Sequence, residues 1–435
     1  VVGLVDAYRL SGAEQAKTLL PIIIEKCRPY ISPVSRDRIG KTEPPYDETY
    51  VISENLFHVA EITGDRKYHD MAVHYLLNKE WFDPLAAGED VLPTKHAYSH
   101  TIGNASGAQA FLHLGDEKYK KALINAWKFM EPQRFASGGW GPEEQFVVLG
   151  QGNLAKSLKT SKAHYETPCG AFADLKLARY LIRFTGEAQY GDGLERSLYN
   201  TMLATRLPDS DGGYPYYSDY GAQGQKRYYH QKWPCCSGTL VQGVADYVLN
   251  AYFHDDDSLL VNLYTPSEVT WDRPGGAVEL VQETDYPVAD TVKLRVRKAG
   301  NGRFALKLRI PHWTKSATLR VSGKAQATTP GQLATVSRVW KAGDLVELTI
   351  PQPLRTLAID PENPNLQAVM RGAVMYVGLN PWEGIDQETI ALPGALTPMP
   401  GHAESYRAKV GQRNLVFVPY YAVDTERTTT YFKTA

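Results

Sequence analysis

Apolar positions in the first part of the chain recur at three- and four-residue intervals, the period of an amphipathic helix. One phrase returns. "TGDRKYHDMAVHYL" begins at Thr63, "LGDEKYKKALINAWKF" at Leu114 and "TGEAQYGDGLERSLYN" at Thr185, with a weaker copy, "LSGAEQAKTLL", at Leu10. Each copy follows a helical stretch, and in each a glycine precedes an acidic residue and then a new amphipathic run. Glycine ends one helix in the left-handed region, and the acidic residue suits the positive start of the next. The repeat therefore predicts helical hairpins about every 50–70 residues. Hairpins of this kind close into an α/α toroid or stack as a solenoid. The long irregular segments 132–165 and 205–234 favour an (α/α)6-type toroid with loops folded over one mouth, where chemistry collects. About four and a half of the six hairpins are present, so an N-terminal part is expected before Val1.

After about residue 256 the period changes to two. "TVKLRVR", "RFALKLRIP", "ATLRVSG" and "LVELTIP" alternate apolar with polar residues between glycine, proline and asparagine turns. They predict an antiparallel β-sandwich over 256–357. "QAVMRGAVMYVG" and "NLVFVPYY" predict a further β region over 358–435. The chain is thus expected to be multidomain, α then β, with the chemistry in the helical part at 1–255. His312 and His402 fall on turns of the β part and carry no expectation of a role.

Composition narrows the function classes. The net charge of −1 has no basic excess for nucleic acid. No apolar run of about 20 residues predicts a membrane span, and no leader is visible at "VVGLVDAYRL". A soluble protein of bacterial type, cytoplasmic or periplasmic, is the expectation; the compartment stays open. The 27 tyrosines and 8 tryptophans are what a carbohydrate cleft uses, and equally what a large core with tyrosines at its rim uses.

Four cysteines in 435 residues are too few for a disulfide framework. Two of them are adjacent, in "WPCCSGT", where the ring of a vicinal disulfide is strained. Pro234 precedes Cys235, Cys236 and a helix. "HYETPCGAF" repeats the arrangement, with Pro168 between Glu166 and Cys169 ahead of another helix. A thiol at a helix N-terminus has a lowered pKa. If the two helix starts meet, Glu166, Cys169, Cys235 and Cys236 form a tetrahedral donor set suited to Zn²⁺. The alternative is three unrelated buried cysteines, since free cysteine packs as a small hydrophobe. Cys27, on a helix end, reads as structural.

"ETPCGAFADLKLARYL", "YGDGLERSLYNTML", "WPCCSGT" and "LRIPHWTKSATLRVSG…VWKAGDLVEL" together resemble the zinc-dependent β-L-arabinofuranosidases of glycoside hydrolase family 127 and their relatives, from roughly residue 50 to the C-terminus. The resemblance implies an (α/α)6 barrel followed by β-sandwich domains. It implies zinc held by Glu166, Cys169, Cys235 and Cys236, with Cys235 as nucleophile. It implies a glutamate acid/base, which in "GGWGPEEQF" is Glu144, with Glu143 as competitor. His96 in "LPTKHAYSH" matches the substrate histidine. Here Pro168 adds a residue to the Glu–Cys motif, "GPEEQF" replaces G-E-x-F, and "PYDETYVISEN" has no counterpart.

Further substrate contacts are expected from position. His100 follows His96 by four and shares its helix face. His164 precedes Glu166 by two. Tyr217 and Asp219 lie on the loop before the cysteine pair, and Trp140 and Trp233 are candidates to stack on a sugar. Glu48 and Glu54 are weaker candidates. The implied reaction is retaining hydrolysis of a terminal pentofuranose, β-L-arabinofuranose-like, from an oligosaccharide, polysaccharide or glycoconjugate. The rivals are the same machinery on a branched, deoxy or acidic sugar, a polysaccharide lyase on an α/α toroid, and a sugar-binding module with structural zinc.

Overall fold

The computed structural model describes residues 1–41, 43–205, 213–230, 235–402 and 404–434. Eleven α-helices occupy the first part of the chain among these residues. They are α1 (Val2–Ser11), α2 (Glu14–Cys27), α3 (Ser53–Thr63), α4 (Arg66–His74), α5 (Asp83–Ala87), α6 (Ala97–Leu114), α7 (Glu117–Met130), α8 (Asn153–Thr160), α9 (Thr167–Thr185), α10 (Ala188–Ser197) and α11 (Cys235–Asp246). Strands dominate from Tyr252 onward. The chain forms two compact units, one of 1–133 with 144–148, the other of 134–143 with 149–435. None of the described helices is long and apolar enough to cross a membrane.

The repeated phrase makes hairpins as expected. Gly12, Gly64, Gly115 and Gly186 end α1, α3, α6 and α9 with φ between 68° and 72°, a region that costs an L side chain energy. Asp65 and Asp116 then cap α4 and α7 by accepting the amides of Lys67 and Lys118 at 3.0 and 2.9 Å. The third copy uses another device: the Glu187 amide donates to Thr185 Oγ1 at 3.2 Å.

In the second unit a six-stranded sheet runs Lys324–Gln326, Thr318–Val321, Leu345–Thr349, Thr291–Lys298, Val278–Thr284, Ser267–Trp271 in spatial order. A four-stranded sheet runs Leu333–Val339, Arg303–Arg309, Ser258–Val261, Tyr252–His254. Val292, Leu294 and Val296 from the first join Phe304, Leu306 and Leu308 from the second in one core. The alternation seen in sequence thus faces that core. Among the described residues of these two sheets one pair departs from antiparallel pairing, Ser258–Val261 lying parallel to Arg303–Arg309. The C-terminal region forms a nine-stranded sheet that includes Leu366–Arg371, Val374–Leu379 and Arg413–Pro419.

A small third sheet bears on the site. It comprises β1 (Tyr165–Glu166), β2 (Tyr214–Ser218) and β3 (Lys226–Tyr229). Glu166 sits opposite Tyr217, and the register of β2 against β3 slips between Pro215 and Tyr217.

Candidate active site

Two helix starts meet in the second unit. Glu166 is the last residue of β1 and precedes α9, and Pro168 sits in the helix's first turn, where its missing N–H costs nothing. Cys169 follows in that turn, and Cys235 and Cys236 open α11, which packs along α9. The donor atoms of Glu166, Cys169, Cys235 and Cys236 all lie within 4.8 Å of one another. Cys169 Sγ is 3.4 Å from Cys236 Sγ, and Glu166 Oε1 is 3.2 Å from Cys235 Sγ and 3.7 Å from Cys236 Sγ. These separations are too long for a disulfide, at about 2.05 Å. They match the edges of a tetrahedron whose centre lies about 2.3 Å from each sulfur, so the residues fit zinc.

The three thiols differ. Cys169 and Cys236 are buried and Cys235 is exposed. Burial pushes the Cys169 and Cys236 thiols up. Cys235 is held far below an ordinary thiol by hydrogen bonds from Cys169 and Cys236, with Tyr216 assisting against its partial burial. These shifts favour ionisation at the sulfur that faces outward. Tyr216, whose hydroxyl is 3.5 Å from Cys235 Sγ, was not singled out in the sequence, where Tyr217 was. The bulge in β2 explains the difference: it breaks the alternation from which a strand's faces are read. Tyr217 pairs with Glu166 through the backbone, and its ring packs on Tyr216 and Tyr229. Thr239 Oγ1, 3.1 Å from Cys169 Sγ, is a second neighbour the spacing did not reveal.

In the first unit His96 and Glu144 meet. His96 caps α6, its Nδ1 accepting the Ser99 amide at 3.1 Å. That bond fixes the proton on Nε2, which faces Glu144 Oε2 at 3.1 Å. The Glu144 segment is pinned by backbone bonds: Phe146 N donates to Lys95 O, and Thr94 N to Phe146 O. Glu144 has φ 61° and Glu143 φ 54°, consecutive left-handed positions in residues that pay for them. Such strain concentrates at functional sites. Glu143 turns elsewhere, accepting from Ser161 Oγ.

Three expected substrate contacts are placed differently. His100 is buried, with Nδ1 facing the His96 carbonyl and Nε2 facing Asp37 Oδ1, both at 2.9 Å. These two contacts tie it to the start of α6 and to Asp37. Burial raises the Asp37 carboxyl, but His100 and Lys95 outweigh it and hold the group well below the usual range. His164 is fully buried: Nδ1 accepts the Tyr220 amide at 3.0 Å and Nε2 donates to Ser157 O at 3.1 Å. Trp140 is buried between the ring of Tyr165 and the Arg134 guanidinium, which Asp174 holds in a buried bidentate pair. A Cβ on Gly139 would lie 2.6 Å from the Tyr165 ring, so the "GGW" turn is packed shut. Both ring nitrogens of each histidine face protein atoms, and this tryptophan is buried. Asp219 is buried against His164 and Lys162, and Glu54 is buried. Glu48 pairs with Arg38 at 3.2 Å. Trp233 and Pro234 lie outside the described residues.

The comparisons with known proteins fit this geometry. The family model described as "Beta-L-arabinofuranosidase, GH127 catalytic domain" matches residues 1–248, and the GH127 middle-domain model matches 258–352. A GH127 beta-L-arabinofuranosidase from Geobacillus stearothermophilus T6 superposes with a TM-score of 0.70 at 21% identity, covering 88% of this chain and 72% of its own. A second solved GH127 beta-arabinofuranosidase gives 0.79 at 20% identity, covering 100% and 75%. A third structure, titled a glycoside hydrolase, gives 0.67 at 18%, covering 100% and 90%. No curated protein sequence matches. The catalytic-domain model alone spans more than half of the chain, and the protein belongs to glycoside hydrolase family 127.

Proposed function

We propose that the protein is a retaining glycosidase that releases a terminal pentofuranose of the β-L-arabinofuranose type, with Cys235 as nucleophile and Glu144 as acid/base. The observation that carries this reading is geometric: the donor atoms of Glu166, Cys169, Cys235 and Cys236 lie within 4.8 Å of one another, and Cys235 is the cysteine of the group that is exposed. Glu166, Cys169, Cys235 and Cys236 would hold zinc, which when bound keeps thiols ionised at neutral pH. The Cys235 sulfur attacks the anomeric carbon as the bond to the leaving oxygen breaks, and Glu144 gives that oxygen its proton. The result is a thioglycosyl-enzyme. Glu144 then takes a proton from water, whose oxygen displaces the Cys235 sulfur, and two inversions leave the configuration retained. His96, with its proton on Nε2, holds the Glu144 carboxylate in place. Two of the similar solved structures are arabinofuranosidases, which supports the pentofuranose.

The test is release from aryl β-L-arabinofuranoside, in reducing buffer, by the parent and by Cys235→Ser. Release by the parent at retained configuration, with about a thousandfold or greater loss in Cys235→Ser, is expected. A Cys235→Ser variant that keeps the parent's rate sinks the nucleophile. A parent that ignores this glycoside while cleaving another pentoside moves the sugar, not the machinery.

A further inference from the structure

A cleft of about 1080 Å³ opens in the second unit, and none of Glu166, Cys169, Cys235 and Cys236 lines it. It is lined by α8 and the turn before it, by the 362–366 loop, and by Gln387 and Lys433. The walls are tied together. Asp360 accepts the Ala155 amide through Oδ2 at 3.2 Å and the Asn363 side-chain amide through Oδ1 at 2.7 Å. Gly152 lets the loop approach so closely that a Cβ there would lie 2.8 Å from Asn363 Nδ2. Lys433 Nζ donates to Gln387 Oε1 at 3.0 Å. The cleft is therefore built before any ligand arrives, and its volume is just above the roughly 300–1,000 Å³ range of ligand pockets.

Among the described residues most of its lysines lack a carboxylate partner. Lys156, Lys159, Lys162 and Lys433 line it and all are exposed. Lys162 has Asp219 at 3.6 Å. Among the described residues the other three have no carboxylate partner: Lys156 meets the Asn153 side chain at 3.5 Å and Lys433 meets only Gln387. Glu362 and Asp386 also line the cleft, and among the described residues neither pairs with one of these lysines. Lys156 and Lys159 are one helical turn apart on α8, about 5–6 Å between their Cβ atoms, a spacing that suits successive charges on an extended chain. Between the cations the lining is amide and apolar, with Gln151 and Asn365 among the former and Leu158 and Tyr431 among the latter. Amides read hydroxyls and apolar surface takes a sugar face, while unpaired ammonium groups call for carboxylates.

We infer that this cleft is a second glycan site, and that it takes an acidic, uronate-bearing oligosaccharide segment. It rests on membership of a glycoside hydrolase family and not on the chemistry of Cys235. The probe is tetragalacturonate, titrated calorimetrically into the full chain, with cellotetraose as the neutral control. Tetragalacturonate is expected to bind the parent and Cys235→Ser alike, and to weaken as salt rises. Lys156→Gln with Lys159→Gln should weaken it about tenfold at an unchanged melting temperature and unchanged turnover of the aryl arabinofuranoside. No binding, equal binding of cellotetraose, or indifference to the double substitution overturns the inference. So does competition between tetragalacturonate and the aryl glycoside that disappears in Cys235→Ser, which would place the probe at the reacting thiol. Absent turnover with intact lysine-dependent binding would sink the proposed reaction and leave this site standing.

Discussion

Adjacent cysteines divide their labour because a helix start turns successive side chains about 100° apart. Cys236 points inward to Cys169 and Cys235 outward to solvent. Their protonation follows: burial keeps Cys169 and Cys236 up, and their hydrogen bonds hold Cys235 down. The donor set was legible in sequence because it sits at two helix starts marked by proline, where residue order and three-dimensional place are the same thing. Tyr216 was not legible, because a bulge decides which tyrosine of "YPYY" faces the thiol. Nor was the Asp37–His100 pair, since nothing local links positions so far apart. A metal prediction belongs at this scale. As-purified protein should carry about one zinc per chain, measured by atomic emission. Cys169→Ser and Cys236→Ser should each lose most of it and melt at lower temperature, while Cys27→Ser, which alters an exposed thiol distant in sequence from every donor, should keep both. Full zinc in Cys169→Ser would remove that residue from the donor set.

At the scale of elements, the glycine–acid phrase placed the hairpins because capping chemistry is local. The short α5 and the small β1–β3 sheet left no period long enough to read, and tertiary contacts hold them. Packing of α3 against α4 and α6 has a consequence that periodicity does not carry. His69 and His113 pack on Phe57, and Glu61 is shared by His113 at 3.1 Å, His58 at 3.5 Å and Arg9. Burial lowers both His58 and His113; Glu54 and Glu61 pull upward on His58, Glu61 on His113, and neither attraction wins. Unfolded, each would titrate near 6.5. The unfolded chain therefore binds more protons below that value, so the contribution of these histidines to stability is complete above about pH 6.5 and falls as pH drops through it. Asp37, held low, adds a second loss that begins only below about pH 4. Unfolding of the parent in urea should show lower stability at pH 5.5 than at pH 7.5. His58→Gln with His113→Gln should shrink that difference whatever it does to stability at pH 7.5. A difference left at full size would assign the acid sensitivity to other groups.

At the scale of the whole molecule, the change of period near residue 256 announces a sheet but not which helices share its unit. In the second unit α10 and the strand Arg303–Arg309 are joined by a buried ion cluster. Arg309 is fully buried and meets Asp192 and Glu195, the latter at 3.0 Å, and the His312 ring meets Asp192 at 2.8 Å. Burial works against the Asp192 charge, yet His312 and Arg309 hold its carboxyl below the usual range. Burial also raises Glu195, and the Arg309 charge does not fully offset it. Two carboxylates thus compensate one guanidinium unequally, with Asp192 the firmer partner. His312, read as a turn residue without a role, is part of this clasp. Breaking a buried cluster from one side leaves a charge in a medium that cannot solvate it. Asp192→Asn should therefore cost about 3 kcal/mol in urea unfolding, the low end of the range for a broken buried pair because Glu195 remains. Glu268→Gln, which removes an exposed pair with Arg297 at 2.9 Å, should cost under about 1 kcal/mol. If the two substitutions cost the same, the cluster is no clasp, and apolar packing between α10 and the sheet must hold the unit together. If Asp192→Asn costs the larger amount and lowers a single transition seen by both far-ultraviolet dichroism and tryptophan fluorescence, helix and sheet unfold as one body through Arg309.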